Sequence, residues 1–175
     1  MLSNPQLISA INTQIGNEFS ASMQYLGIAT YFEAQTLPEL AKFFYKQADE
    51  ERAHAMRFIR FVLDTGGELV LPELPAPRQD FKFAEDAVKL SLESELRVTQ
   101  QINDLFALAT SSNNYITLNF LQWFLEEQVE EVASMTDLLK VVQRAGEGGL
   151  LRVEEYLVRH KPGQGLSSSS SDSAD

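Results

Sequence analysis

The chain has 175 residues, no cysteine and a net charge of −11. That length suits one domain burying roughly 70% of its unfolded surface, and the absence of cysteine excludes disulfides and thiolate metal sites and fits a cytoplasmic location. The charge disfavours nucleic acid and favours cations as partners, while no uncharged apolar run reaches the roughly 18 residues that would suggest a membrane span.

The first helix is predicted from Pro5 to about Glu33. Asn4 can cap it and Pro5 fits its first turn. No basic and apolar leader precedes it, so no secretory signal is expected. Its core stripe runs Leu7 or Ile8, Ile11, Ile15, Glu18, Ser22, Tyr25, Ile28 or Ala29, Phe32. Thr36-Leu37-Pro38-Glu39 reads as a capping box opening the second helix, whose stripe is Leu37, Ala41, Phe44, Ala48, Glu51, Ala55, Phe58, Val62. Gly66-Gly67 ends it.

Pro72, Pro75 and Pro77 make residues 66–82 a loop. Extended, it reaches up to about 55 Å. A helix of about 28 residues is only about 42 Å long, so the loop can run the length of a bundle and set helices two and three parallel. The third helix, about Phe83 to Thr110, carries Ala84, Val88, Ser91 or Leu92, Glu95, Thr99, Ile102, Phe106 and Ala109 on one stripe. Ser111 to Asn114 is a short turn, so the fourth helix, about Tyr115 to Arg144, returns antiparallel with Leu121, Phe124, Gln128, Glu131, Met135, Leu138 and Val142 inward. Gly146 to Gly149 breaks it, and a short amphipathic helix follows from Leu150 to about His160. The expected fold is all-α: a four-helix bundle with one long crossover, the ferritin-like topology, plus a fifth short helix. Residues 1–160 form this domain, and the serine-rich tail 161–175 is expected to be disordered.

One carboxylate interrupts the apolar stripe of each long helix: Glu18, Glu51, Glu95 and Glu131. Packed side by side, they meet at one level. Buried carboxylates repel one another and lose hydration, so cations are needed to offset the cost. Glu51 and His54 lie at i and i+3, able to bind one ion, and Gln128 and Glu131 repeat the spacing. Mixed carboxylate and imidazole ligation suits Fe(II), Mn(II) or Zn(II) and is nitrogen-poor for zinc. One histidine makes two ions inequivalent, the better-liganded one lying near Glu18, Glu51 and His54. Tyr25, two turns after Glu18, either packs or donates an electron or hydrogen bond. Glu50, Glu127 and Glu130 are either surface acids or part of a further site, Glu127 and Glu130 forming a pair about 100° round the helix from Gln128 and Glu131. Trp123 is expected in the core and His160 at an exposed helix end.

Over residues 1 to about 160 the chain resembles the bacterial non-haem ferritins. The resemblance is carried by Asn17-Glu18 to Tyr25, Glu50-Glu51-Arg52-Ala53-His54, Glu95-Leu96-Arg97-Val98-Thr99 and Asn119 to Glu131. It implies a ferroxidase centre with two irons per subunit. Glu18, Glu51 and His54 would take the first iron, and Glu51, Glu95 and Glu131 the second, with Gln128 close by. Glu50, Glu127 and Glu130 would form a third iron site. It also implies Fe(II) and O2 or H2O2 as reactants and a hollow 24-subunit shell storing ferric mineral. Arg52 stands where bacterioferritins carry the haem-binding methionine, so no haem is expected, and Gln128 with Glu131 replaces their helix-four E-x-x-H. Leu118 and Leu121 stand at the three-fold channel acids of the animal shells. The competing expectations are a ferritin-like di-iron oxidase or peroxidase without storage, and a shell subunit without oxidation activity.

Overall fold

A computed structural model describes residues 4–160 and 162. Its helices are α1 Pro5–Ala34, α2 Pro38–Asp64, α3 Ala84–Ser111, α4 Tyr115–Ala145 and, after a 3-10 turn at Glu147–Gly149, α5 Leu150–Arg159. The described residues contain no strand. Each long helix lies within a residue or two of its expected span. Of the expected tail, only Pro162 falls within the described residues; its carbonyl accepts from Ser134 Oγ at 3.1 Å.

The apolar interior is divided into two blocks. One joins Ile28 and Phe32 of α1, Leu40 and Phe44 of α2, Ala84 and Val88 of α3, and Leu138 and Val142 of α4. The other joins Leu7 and Ile11 of α1, Phe58 and Val62 of α2, Ile102 and Ala109 of α3, and Leu121 and Phe124 of α4. These pairings place the starts of α2 and α3 at the same end of the bundle, so the two helices run parallel, as the long crossover requires. Each aromatic so buried contributes about 1.5–3 kcal/mol of burial free energy. Between the blocks the four helices supply polar residues instead: Glu18, Glu51, His54, Ser91, Ser94, Glu95, Gln128 and Glu131, all buried.

The crossover is fixed on α1 by two carboxamides. Asn12 Nδ2 donates to Glu68 O at 2.8 Å, and its Oδ1 accepts from Val70 N at 3.3 Å. Gln24 Nε2 donates to Arg78 O at 2.7 Å, and its Oε1 accepts from Arg78 N at 2.9 Å. Each amide thus satisfies both backbone groups of an extended segment, as a neighbouring strand would. Between them Pro72 presses on Gly16, where an added Cβ would lie 2.3 Å from the proline Cγ. Gly16→Ala is expected to cost about 1–3 kcal/mol by overpacking, read as a lower thermal midpoint; an unchanged midpoint would show that the loop is not held there.

The capping box at Thr36 does not form. Thr36 takes φ +61°, Leu37 is the N-cap, and its side chain makes no capping bond. Glu154 of α5 reaches across instead and accepts from Glu39 N at 2.7 Å and Leu40 N at 2.9 Å. Likewise Glu147 accepts from Ala84 N at 2.7 Å at the start of α3. A carboxylate facing the positive end of a helix is favourable, so the C-terminal segment stabilises the two helix starts that the local sequence leaves uncapped. Asn114 caps α4 through Thr117 N at 3.0 Å.

Candidate metal centre

The polar layer converges on a small volume between all four long helices. Glu18 and Glu95 are fully buried, Glu51 is 1% exposed, His54 5% and Glu131 6%. His54 Nδ1 lies 3.1 Å from Glu51 Oε2 and 3.9 Å from Glu18 Oε2. Gln14 Nε2 donates to Glu18 Oε1 at 2.8 Å, and Asn17 Nδ2 donates to Gln14 Oε1 at 3.1 Å, so a short amide chain orients that carboxylate. The opposite oxygens, Glu18 Oε2 and Glu51 Oε1, are buried without a hydrogen-bond partner. An unpartnered buried carboxylate oxygen costs several times what an average hydrogen bond contributes. A bound cation, or failing that a proton shared between the two carboxyls, removes the cost.

Glu95 is held differently. Tyr25 OH donates to its Oε1 through a short bond. Gln128 Nε2 lies 3.2 Å from Glu95 Oε2, from the Glu95 carbonyl and from Thr99 Oγ1. Tyr25 therefore does more than pack. Glu131 accepts from Gln47 Nε2 at 3.0 Å.

All four acids are harder to ionise than free carboxyls. Burial is the main cause throughout. Glu51 adds to the rise at Glu18, and Glu95 adds to the rise at Glu51. At Glu95 the hydrogen bonds from Tyr25 and Gln128 pull partly the other way. Glu131 is pushed up to about 8 by burial and then by the charges of Glu95 and Glu50. Tyr25 is raised by burial and by Glu95. A site that resists negative charge until a cation arrives is what a cluster of buried carboxylates dictates.

Two sets of ligating atoms lie within 4.8 Å of one another: Glu18, Glu51 and His54, and also His54, Glu127 and Glu131. The first set matches the expected one. The second joins Glu127 to His54 and Glu131, and Glu127 also lines the cleft that holds Glu50 and Glu130. Glu50 is half-buried, with Lys46 Nζ at 2.6 Å and Gln47 Nε2 at 3.0 Å on its two oxygens. Glu130 is exposed. Glu50, Glu127, Glu130 and Glu131 share a cleft of about 690 Å³ bounded by α2, α4 and the C-terminal end of α5.

Sequence reasoning missed Gln14 and Gln47. Each stands one turn before a buried acid on its own helix, Gln14 before Glu18 and Gln47 before Glu51. That i−4 spacing is the signal that could have found them. Trp123, expected in the core, is half-buried: Arg57 Cζ lies 3.6 Å from its ring centroid, and its edge meets His54 with centroids 5.4 Å apart.

The profile of the ferritin-like domain matches residues 8–145. The chain belongs to the ferritin family. It is 42% identical over 155 residues to Ferritin BfrB of Mycolicibacterium smegmatis, covering 89% of this chain and 85% of that relative. It is 34% identical over 142 residues to a bacterial non-heme ferritin of Staphylococcus epidermidis, covering 81% and 86%. Among solved structures, the open pore ferritin of Archaeoglobus fulgidus superposes with a TM-score of 0.87 at 31% identity, covering 91% of this chain and 98% of that one. The all-helical bundle with its short fifth helix is therefore the ferritin fold, and a ferritin with this glutamate and histidine cluster has a donor set compatible with a di-iron site.

Proposed function

We propose that this ferritin is an iron-storage ferroxidase that oxidises Fe(II) between its four helices and passes Fe(III) to a mineral inside a hollow shell. The observation that carries the reading is the polar layer itself, four carboxylates and one imidazole closed between two apolar blocks, with two carboxylate oxygens left unpartnered. Membership of the ferritin family supports iron storage and iron oxidation as its work.

Iron is substrate and cargo. Glu18, Glu51 and His54 would take one Fe(II); Glu51, Glu95 and Glu131 would take a second, with Gln128 and Tyr25 holding Glu95 in place. Each Fe(II) gives one electron, so a pair reduces O2 to the level of H2O2, or H2O2 to water, with protons drawn from solvent. Oxygen ligands stabilise the harder Fe(III). The cleft acids Glu50, Glu127 and Glu130 provide a third iron position and a way out of the bundle. The proposal includes a homo-oligomeric shell of 24 subunits, a cytoplasmic location and no haem. Among the described residues no helix is long and apolar enough to cross a membrane.

The test is aerobic addition of a large excess of Fe(II) to the iron-free protein, with bound iron counted per chain. Continued uptake far beyond the centre's capacity is expected. Uptake that stops once two irons per chain are held would mean a di-iron oxidase or peroxidase without storage.

A further inference from the structure

Gln47 is a buried carboxamide with no part in the site just proposed, yet it touches both of its compartments. It is 3% exposed. Its Nε2 lies 3.0 Å from Glu131 Oε2, at the buried centre, and 3.0 Å from Glu50 Oε2, at the cleft. An amide nitrogen carries two hydrogens, so both bonds form at once. The other oxygen of Glu50 accepts from the exposed Lys46 Nζ at 2.6 Å.

Glu131 faces the buried centre and also lines the cleft shared with Glu50, Glu127 and Glu130, so its side chain has room on either side. Gln128, one turn earlier on α4, donates to Glu95 and Thr99 and not to Glu131. The hydrogen bond to Glu131 comes from α2.

We infer that Gln47 is a positioning residue for the second metal position: its carboxamide holds Glu131 toward the centre while pinning Glu50 at the cleft, and so sets how tightly the second ion is kept before it leaves. The first position, made by Glu18, Glu51 and His54, takes its orientation from Gln14 and is independent of Gln47. This inference rests on the di-metal reading of the site.

The substitution Gln47→Met keeps length and flexibility and removes both donors. The measurement is anaerobic titration of the iron-free protein with Co(II), followed by visible absorption, which needs no turnover. The unsubstituted protein is expected to take up two Co(II) per chain in two unequal classes. In the variant the tighter class is unchanged and the weaker class loses affinity by about 10–100-fold, the usual effect of removing a residue that orients a ligand. The unchanged tighter class also shows that the variant is folded. Two unaltered classes would overturn the inference and leave Gln47 a packing residue, and equal weakening of both would overturn it by showing a general disturbance. Fewer than two Co(II) bound by the unsubstituted protein would instead refute the di-metal reading.

Discussion

Replacing Glu51 and His54 together with alanine is expected to lower the initial rate of Fe(II) oxidation by at least about 100-fold, beyond what loss of an orienting partner alone produces. The reason is geometric. Glu51 is the only acid assigned to both metal positions, and His54 Nδ1 is 3.1 Å from it. Removing both side chains takes two of three donors from the first position and one from the second. The bundle should survive, because both apolar blocks lie outside the layer and a buried carboxylate facing like charges is a cost to the fold. Stopped-flow absorbance on iron addition, with circular dichroism and gel filtration of the same sample, checks both halves. An unchanged initial rate would reject the assignment of the centre.

The second large effect is on stability against pH. Glu131 titrates near 8 in the folded chain, against about 4.3 for a free glutamate. Glu18, Glu51 and Glu95 shift in the same direction. Between those values the folded iron-free chain holds protons that the unfolded chain has released. The unfolded state binds fewer protons, so stability falls as pH rises. The penalty is absent below about pH 4, grows from there and is complete for Glu131 above about pH 8. For Glu131 alone it is on the order of a few kcal/mol. Thermal midpoints of the iron-free protein should therefore decline from pH 5 to pH 8. Glu131→Gln, which cannot ionise, should flatten part of that decline while leaving the general effect of net charge in place. A divalent ion replaces the protons, so Fe(II) binding near pH 7 should release protons in proportion to the sites filled. A variant whose midpoints fall as steeply as those of the unsubstituted protein would contradict the assigned shift.

Why some of this was legible in the sequence and some was not follows from range. Glu18, Glu51, Glu95 and Glu131 stand out because a helix repeats every 3.6 residues, and a charge at a core position breaks a local pattern. Helix spans and the parallel setting of α2 and α3 follow from periodicity, prolines and chain reach, all local or nearly so. The capping box at Thr36 failed because the residue that caps α2 is Glu154, more than a hundred positions away. The clamps at Asn12 and Gln24 are equally invisible from their own helix, where they read as ordinary polar residues until the loop is laid against them. For Glu127, spacing fixes its azimuth on α4, while its nearness to His54 depends on how α2 packs beside it and is not legible from α4 alone. The family resemblance filled part of that gap by carrying a ligand set across helices, which spacing on a single helix cannot do.

In the proposed centre four helices each contribute a carboxylate to two irons. Anomalous diffraction at the iron edge, from crystals of this ferritin soaked anaerobically in Fe(II), would locate those irons. Two peaks are expected inside each bundle, one among Glu18, Glu51 and His54 and one among Glu51, Glu95 and Glu131. Iron confined to the cleft at Glu50, Glu127 and Glu130, with no peak between Glu18 and Glu51, would refute the assignment of the centre.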